Sequence, residues 1–255
     1  MSGAPGHGGR LGRRLSAVAV GVGCVLFLGG FVLAAFLYQP YTVPTNSMSP
    51  AVMAGDRVLA QRIDGSEVRR GDVVVFRDAL WGDSPMIKRV VGVGGDTVAC
   101  CDEGGRLTVN GEPIVEPYVE EAQGAAGVGF EATVPDGEIF LLGDDRVDSL
   151  DSRNLMTESD PGTVPLTAVS GRVEATVWPF DRLGVLPAAS GFAELPGGVS
   201  GAGPLRPLAY ATVAGGLLIV CGALSGPVVG RLTRARSDRH GVPTPPVAHN
   251  EGTHG

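Results

Sequence analysis

A chain of 255 residues with a formal charge of −7 can hold one large or two small domains. The charge is unevenly divided: residues 39–206 carry 13 basic against 25 acidic side chains, while both flanking tails are basic. An acidic body has no electrostatic footprint for nucleic acid, which argues against that class of partner.

The first 14 residues hold Arg10, Arg13 and Arg14, and residues 15–38 that follow contain no charged side chain. At ~1.5 Å per residue such a run reaches about 36 Å as a helix, enough to cross a hydrocarbon core of about 30 Å. Its length argues for a retained anchor over a cleavable signal peptide. A second uncharged run covers residues 208–230, with Arg231 directly after it and a basic tail to 255. Arg clusters outside both runs put both termini in the cytoplasm and the acidic body on the other side of a plasma membrane.

Six residues past the first run comes Pro44-Thr45-Asn46-Ser47-Met48-Ser49-Pro50. Ser and Pro beside a membrane helix often form only a stiff linker, but a serine held there is also well placed to act at a bilayer surface. The body then reads as short strands. Gly55-Asp56-Arg57-Val58-Leu59 and Gly71-Asp72-Val73-Val74-Val75-Phe76 repeat a turn followed by a strand. Strands are expected at residues 86–93, 97–100, 107–109, 113–115, 138–142 and 171–178, and Asn110-Gly111 is a strong hairpin signal. Residues 116–132, acidic and Gly-rich, read as a surface excursion. Residues 187–207, rich in Gly, Ala and Pro, read as a linker. With no long amphipathic helix, the expected fold is mainly β: an antiparallel-sheet domain over residues 39–186, tethered by membrane helices at both ends.

Cysteine adds little. Cys100 and Cys101 are adjacent, and bridging neighbours departs far from ordinary disulfide geometry, so two small buried unbridged residues are expected. No cysteine spacing suggests a metal site.

Lysine and histidine narrow the chemistry. Lys88 is the one lysine against 19 arginines, and the four histidines, His7, His240, His249 and His254, all lie in the tails. A buried Lys can lose its proton and act as a base, which Arg cannot. If Ser47 is a nucleophile its base is not a body histidine, and Lys88 is the candidate, brought to it by folding across 41 residues.

Four segments in order carry a resemblance: Ser47-Met48-Ser49-Pro50, Gly55-Asp56-Arg57-Val58-Leu59, Ile87-Lys88-Arg89-Val90-Val91-Gly92-Val93-Gly94-Gly95-Asp96, and Gly143-Asp144-Asp145-Arg146-Val147-Asp148-Ser149-Leu150-Asp151-Ser152-Arg153. Over residues 40 to about 180 they resemble the conserved boxes of bacterial type I signal peptidases. Gly94 stands where that family usually has Pro, and Asp145 where it usually has Asn, which bears on local turn geometry. The resemblance implies a membrane-bound serine endopeptidase of Ser–Lys type that needs no cofactor or metal. Its catalytic domain would hold a smaller β insertion at about residues 97–133. Ser47 would be the nucleophile, Lys88 the general base, Thr45 with the Ser47 N–H the oxyanion donors, and Ser149 the group orienting the lysine. Asp151 and Arg153 would brace the site as an ion pair, and Arg89 would be structural. Val43, Met48 and Ile87 would line a small apolar pocket, with cleavage after Ala-x-Ala. The substrates would be secretory preproteins beside the lipid bilayer. Two other readings are a self-cleaving repressor-type Ser–Lys protease, which the membrane runs disfavour, and a non-catalytic tethered β domain that binds exported proteins.

Overall fold

The computed structural model describes residues 7–82, 84–120 and 129–238. The ends of both tails and residues 121–128 of the acidic excursion therefore lie outside the described residues. Two compact units emerge: a body, Ala34–Arg206, and a helical unit drawn from the two ends, up to Leu33 and from Pro207.

The helical unit is built from α1 (His7–Leu37) and α3 (Leu205–Asp238). Within them Gly12–Leu37, with mean hydropathy 2.5, and Leu205–Ser225, with 1.9, are long and apolar enough to cross a membrane. The two helices meet along a seam of small residues. Ser16 Oγ donates to the Gly222 carbonyl at 2.6 Å. A Cβ added at Gly23 would sit 2.8 Å from the Gly215 carbonyl, so a larger residue there would drive the backbones apart.

The body is antiparallel β throughout. Its larger sheet runs β1 (Tyr38–Thr42), β2 (Arg57–Gln61), β11 (Val169–Trp178), β3 (Val73–Phe76), β4 (Met86–Val93), β9 (Glu138–Leu142), β10 (Val164–Pro165), with β12 (Gly184–Val185) paired to β11. The smaller sheet has the order β7 (Glu112–Pro113), β6 (Leu107–Val109), β5 (Thr97–Cys100), β8 (Phe130–Thr133). The mainly β expectation, with apolar helices near both termini, agrees with this architecture. The β6–β7 hairpin turns at Asn110 and Gly111, both at positive φ (55° and 82°), as a two-residue Asn-Gly turn requires.

Three corners of the body are built alike. In Met53-Ala54-Gly55-Asp56, Arg69-Arg70-Gly71-Asp72 and Val93-Gly94-Gly95-Asp96 the third residue is a glycine at φ 90°, 85° and 88°. Each fourth-residue N–H donates to the first residue's carbonyl, at 3.0, 3.2 and 2.9 Å. Each aspartate then accepts the first residue's N–H on its side chain, at 2.9, 2.9 and 2.8 Å. This is the pattern of a type II turn, whose third position favours Gly. The third turn closes although Gly94 takes the position that favours Pro, because the positive-φ glycine and the aspartate acceptor are both kept.

These turns differ in what surrounds them. A Cβ at Gly55 or Gly95 meets nothing within 4 Å, whereas at Gly71 it would lie 2.7 Å from Ala189 Cβ and 3.3 Å from Phe192 Cδ2. All three Gly→Ala changes should cost about 1–2 kcal/mol through the left-handed backbone. Gly71→Ala should cost ~1–3 kcal/mol more through overpacking. Denaturant unfolding of the detergent-solubilised chain measures the difference, and equal costs would show that Ala189 and Phe192 do not pack there.

Three sequence expectations need correction. Residues 187–207 are not a free linker, since Ala189, Phe192 and Leu195 are buried in the core with Val98, Leu107 and Phe140. Gly and Pro dominate the composition of that stretch, but three apolar side chains at three-residue spacing tie it down. Nor is the described start of the 116–132 stretch a surface excursion: Tyr118 is buried and the Glu116 side chain is only 6% exposed, paired with Arg146. Phe130–Thr133 forms a strand of the smaller sheet. Finally, Cys100 and Cys101 are joined as a vicinal disulfide and are not both buried, Cys101 being exposed.

Candidate active site

Ser47 lies in the loop between β1 and β2, and the loop is fastened along its length. Val43 N–H donates to the Asp56 carbonyl and Gly55 N–H to the Val43 carbonyl, closing its base at 2.9 and 2.8 Å. Ala54 N–H donates to Asn46 Oδ1 at 2.9 Å, and Val52 N–H to the Met48 carbonyl at 2.8 Å. Val43, Met48 and Val52 are buried in an apolar cluster with Val58, Val75 and Val173, which Ile87 flanks as a partly buried neighbour. Apolar anchors on both sides thus hold a half-buried serine at a set height above the sheet.

Lys88 comes from β4, opposite Val74 of β3. This strand is covered on both faces: Ile87, Val91 and Val90 join three different apolar clusters. The lysine is 1% exposed, and its Nζ donates to Ser47 Oγ at 2.6 Å. Burial pushes its pKa from the ordinary 10.5 down to about 8. The carboxylates of Asp151 and Asp144 pull it back up, and the Arg153 guanidinium adds a smaller downward push. An amine so placed is neutral in a useful fraction of molecules near neutral pH and can accept a hydroxyl proton.

The other side of the site is the loop after β9. Asp151 caps the short helix α2 (Ser152–Leu155) and is fully buried. Its carboxylate accepts Gly143 N–H at 3.1 Å and pairs with Arg153 at 2.7 Å. Asp145 N–H in turn donates to the Ser47 carbonyl at 3.2 Å, so this loop grips the serine backbone directly. Gly143 is in close contact here, since a Cβ would overlap both the Ser47 carbonyl and Ser149 Oγ.

The expected site residues fall as follows. Ser47 and Lys88 touch. Thr45 Oγ1 donates to Ser47 Oγ at 3.3 Å. Asp151 and Arg153 form an ion pair within electrostatic reach of Lys88. Val43, Met48 and Ile87 belong to one apolar cluster. Ser149 Oγ is buried beside Gly143 with no hydrogen bond to Lys88 or to any other described residue. Arg89 is buried in a bidentate pair with Asp144, at 2.7 and 2.6 Å. Sequence reasoning passed over Asn46, whose fixing of the loop leaves no signal beyond its place beside the serine, and Tyr118, the aromatic in an acidic stretch.

Among the described residues no three His, Cys, Asp or Glu side chains come together as a metal-binding group. A cavity of about 290 Å³ lies between Arg70, Asp72, Arg172, Glu174 and the segment after Pro187, but neither Ser47 nor Lys88 lines it.

The signature of the family "Signal peptidase, peptidase S26" matches residues 14–178. Signal peptidase I of Mycobacterium tuberculosis H37Rv is 33% identical over 226 residues, covering 68% of this chain and 75% of the relative. Signal peptidase I of Bacillus licheniformis is 33% identical over 162 residues, covering 60% of this chain and 83% of the relative. A crystal structure of a signal peptidase I from Enterococcus faecalis V583 aligns with 41% of this chain and 95% of that one at 28% identity and a TM-score of 0.34, too partial a superposition to bear on the fold. The matched span reaches from the start of the first apolar helix through the serine loop, the lysine strand and the end of β11, and the chain belongs to the signal peptidase family, peptidase S26.

Proposed function

We propose that Ser47 and Lys88 are the nucleophile and general base by which this membrane signal peptidase, a serine peptidase and hydrolase, removes signal peptides. The observation that carries the reading is the 2.6 Å contact between Lys88 Nζ and Ser47 Oγ, made by a lysine that is 1% exposed. Lys88 takes the Ser47 proton as the oxygen attacks the scissile carbonyl, then returns it to the leaving amine. The Ser47 N–H and the Thr45 hydroxyl stabilise the oxyanion. Ser149 helps orient the lysine once substrate fills the site. Asp151 and Arg153 hold the loop after β9 against the serine backbone.

The substrates are secretory preproteins at the lipid bilayer. Among the described residues β1 is the edge strand of the larger sheet, paired on one side only, to β2. An extended segment can add along its free edge, gaining affinity through main-chain hydrogen bonds. Val43, Met48 and Ile87 then form the floor that limits the side chain beside the cut. Both termini are cytoplasmic and the body is extracytoplasmic, the orientation that the Arg clusters flanking the two spans favour.

Incubating the solubilised protein with a preprotein and sequencing the new N-terminus tests the reading. Cleavage after Ala-x-Ala is expected, with Gly or Ser tolerated before the bond and Leu or Asp rejected. A methylene or two in an apolar pocket is worth only ~1–3 kcal/mol, so the preference should be graded among small residues. Equal cutting after Ala and Leu would show that the three apolar residues do not set the pocket. Binding of a preprotein without any cut would favour a non-catalytic β domain.

A further inference from the structure

Two buried ion pairs behind the site are joined through one stretch of the chain. Arg89, next to Lys88 on β4, forks onto Asp144 and donates through Nη1 to the Gly71 carbonyl at 2.9 Å. Its guanidinium carbon lies 3.7 Å from the centre of the Tyr118 ring. The Tyr118 hydroxyl donates to Glu116 Oε1 at 2.7 Å. Glu116 accepts both terminal nitrogens of Arg146, at 2.6 and 2.9 Å. Arg146 Nε donates to the Gly143 carbonyl at 2.9 Å, and Arg153 to the Arg146 carbonyl at 2.9 Å. The path therefore ends on the two elements that set the reacting groups: the strand of Lys88 and the loop that grips Ser47.

We infer that Glu116 and Tyr118, just past the β6–β7 hairpin of the smaller sheet, are positioning residues for the Ser47–Lys88 pair. The ring of Tyr118 holds Arg89 on Asp144, and Glu116 holds Arg146 under Gly143. Neither reaches the reacting atoms, so both act through the elements they pin. A cation over an aromatic face is held more firmly when desolvated than when exposed. A buried pair that loses one partner leaves an uncompensated charge, which the loop must then move to relieve. Lys88 is faced by the charged groups of Asp151, Asp144 and Arg153. Asp144 already favours the ammonium form while it is paired with Arg89. A loosened Arg89 leaves Asp144 less compensated and strengthens that pull, so the lysine deprotonates at higher pH.

The inference rests on the catalytic roles proposed for Ser47 and Lys88, and steady-state kinetics of the full chain in detergent across a pH series tests it. Tyr118→Leu should lower kcat on the order of 10- to 100-fold with KM nearly unchanged, as expected for misplaced reacting groups. The acid limb of its kcat profile should move to higher pH. Tyr118→Phe, which keeps the ring over Arg89, should recover kcat to within roughly three-fold of the parent. Glu116→Gln, of the same size, should also lower kcat while leaving KM, and it decides the matter if Tyr118→Leu fails to unfold cooperatively. Parent-like kcat and acid limb in Tyr118→Leu, or parent-like kcat in Glu116→Gln, would overturn the inference. So would Tyr118→Phe losing as much as Tyr118→Leu. Ser47→Ala and Lys88→Arg run alongside separate the two levels. Cleavage by either at the parent rate defeats the catalytic assignment itself, whereas inactive pair variants beside an indifferent Tyr118→Leu defeat only the positioning role.

Discussion

Ser47→Ala and Lys88→Arg are each expected to lower cleavage by roughly 10⁴-fold or more, as losing one member of a nucleophile–base unit does elsewhere. The two fail for different reasons. Alanine removes the attacking oxygen and leaves the lysine without its 2.6 Å acceptor. Arginine keeps a positive charge but cannot give up its proton at any ordinary pH. Lys88→Met, apolar and of similar length, should be equally inactive while relieving the cost of burying an amine. If Lys88→Met were more stable than the parent and inactive, burial of the lysine would be a cost borne for catalysis. Full activity in a folded Lys88→Arg protein would overturn the assignment of the base.

The second large effect is pH dependence. With Lys88 lowered to about 8 by burial, kcat should climb about ten-fold per pH unit below that value and level off above it. At pH 6 the rate should therefore be roughly 100-fold under its plateau. Stability moves in the same direction. The folded chain releases this proton near 8 and the unfolded chain near 10.5. Between those values the unfolded state binds more protons, so stability rises with pH through that window. Below 8 the full penalty is present, of order 3 kcal/mol at most for a shift of this size. With a single lysine in the chain, its side-chain NMR signal can be followed without assignment. A midpoint near the ordinary solvent value, in protein that still cleaves, would defeat the buried-base account.

Much of this site was legible in the sequence because composition isolates it. One lysine and no body histidine leave few ways to activate a serine, and the segments around Ser47, Lys88 and Gly143 are distinctive strings. The β4 strand and the Asn110-Gly111 hairpin could be read because β-branched runs and positive-φ turns are local signals. What escaped was non-local. Glu116 and Tyr118 sit in an acidic, Gly-rich stretch whose average character is that of a loop. Their burial depends on Arg89 and Arg146, which come from distant elements. Phe192 is hidden in the same way among the glycines and prolines that surround it. Ser149 shows the opposite limit: its sequence match implied a group that orients the lysine, and its hydroxyl is buried without a hydrogen bond.

The seam between α1 and α3 bears on how the chain lives in lipid. Ser16, Gly23 and Gly30 recur every seven residues on one helix, and Leu208, Gly215 and Gly222 do so on the other. A seven-residue repeat keeps one narrow stripe of each helix turned to its partner. Lipid tails are as apolar as the helices themselves, so such a pair is held by close backbone contact and not by escape from water. Acyl chains cannot fill a groove floored by glycine as closely as a facing helix does. The second helix is thus more than a further tether: it is the shaped lining that the first helix lacks.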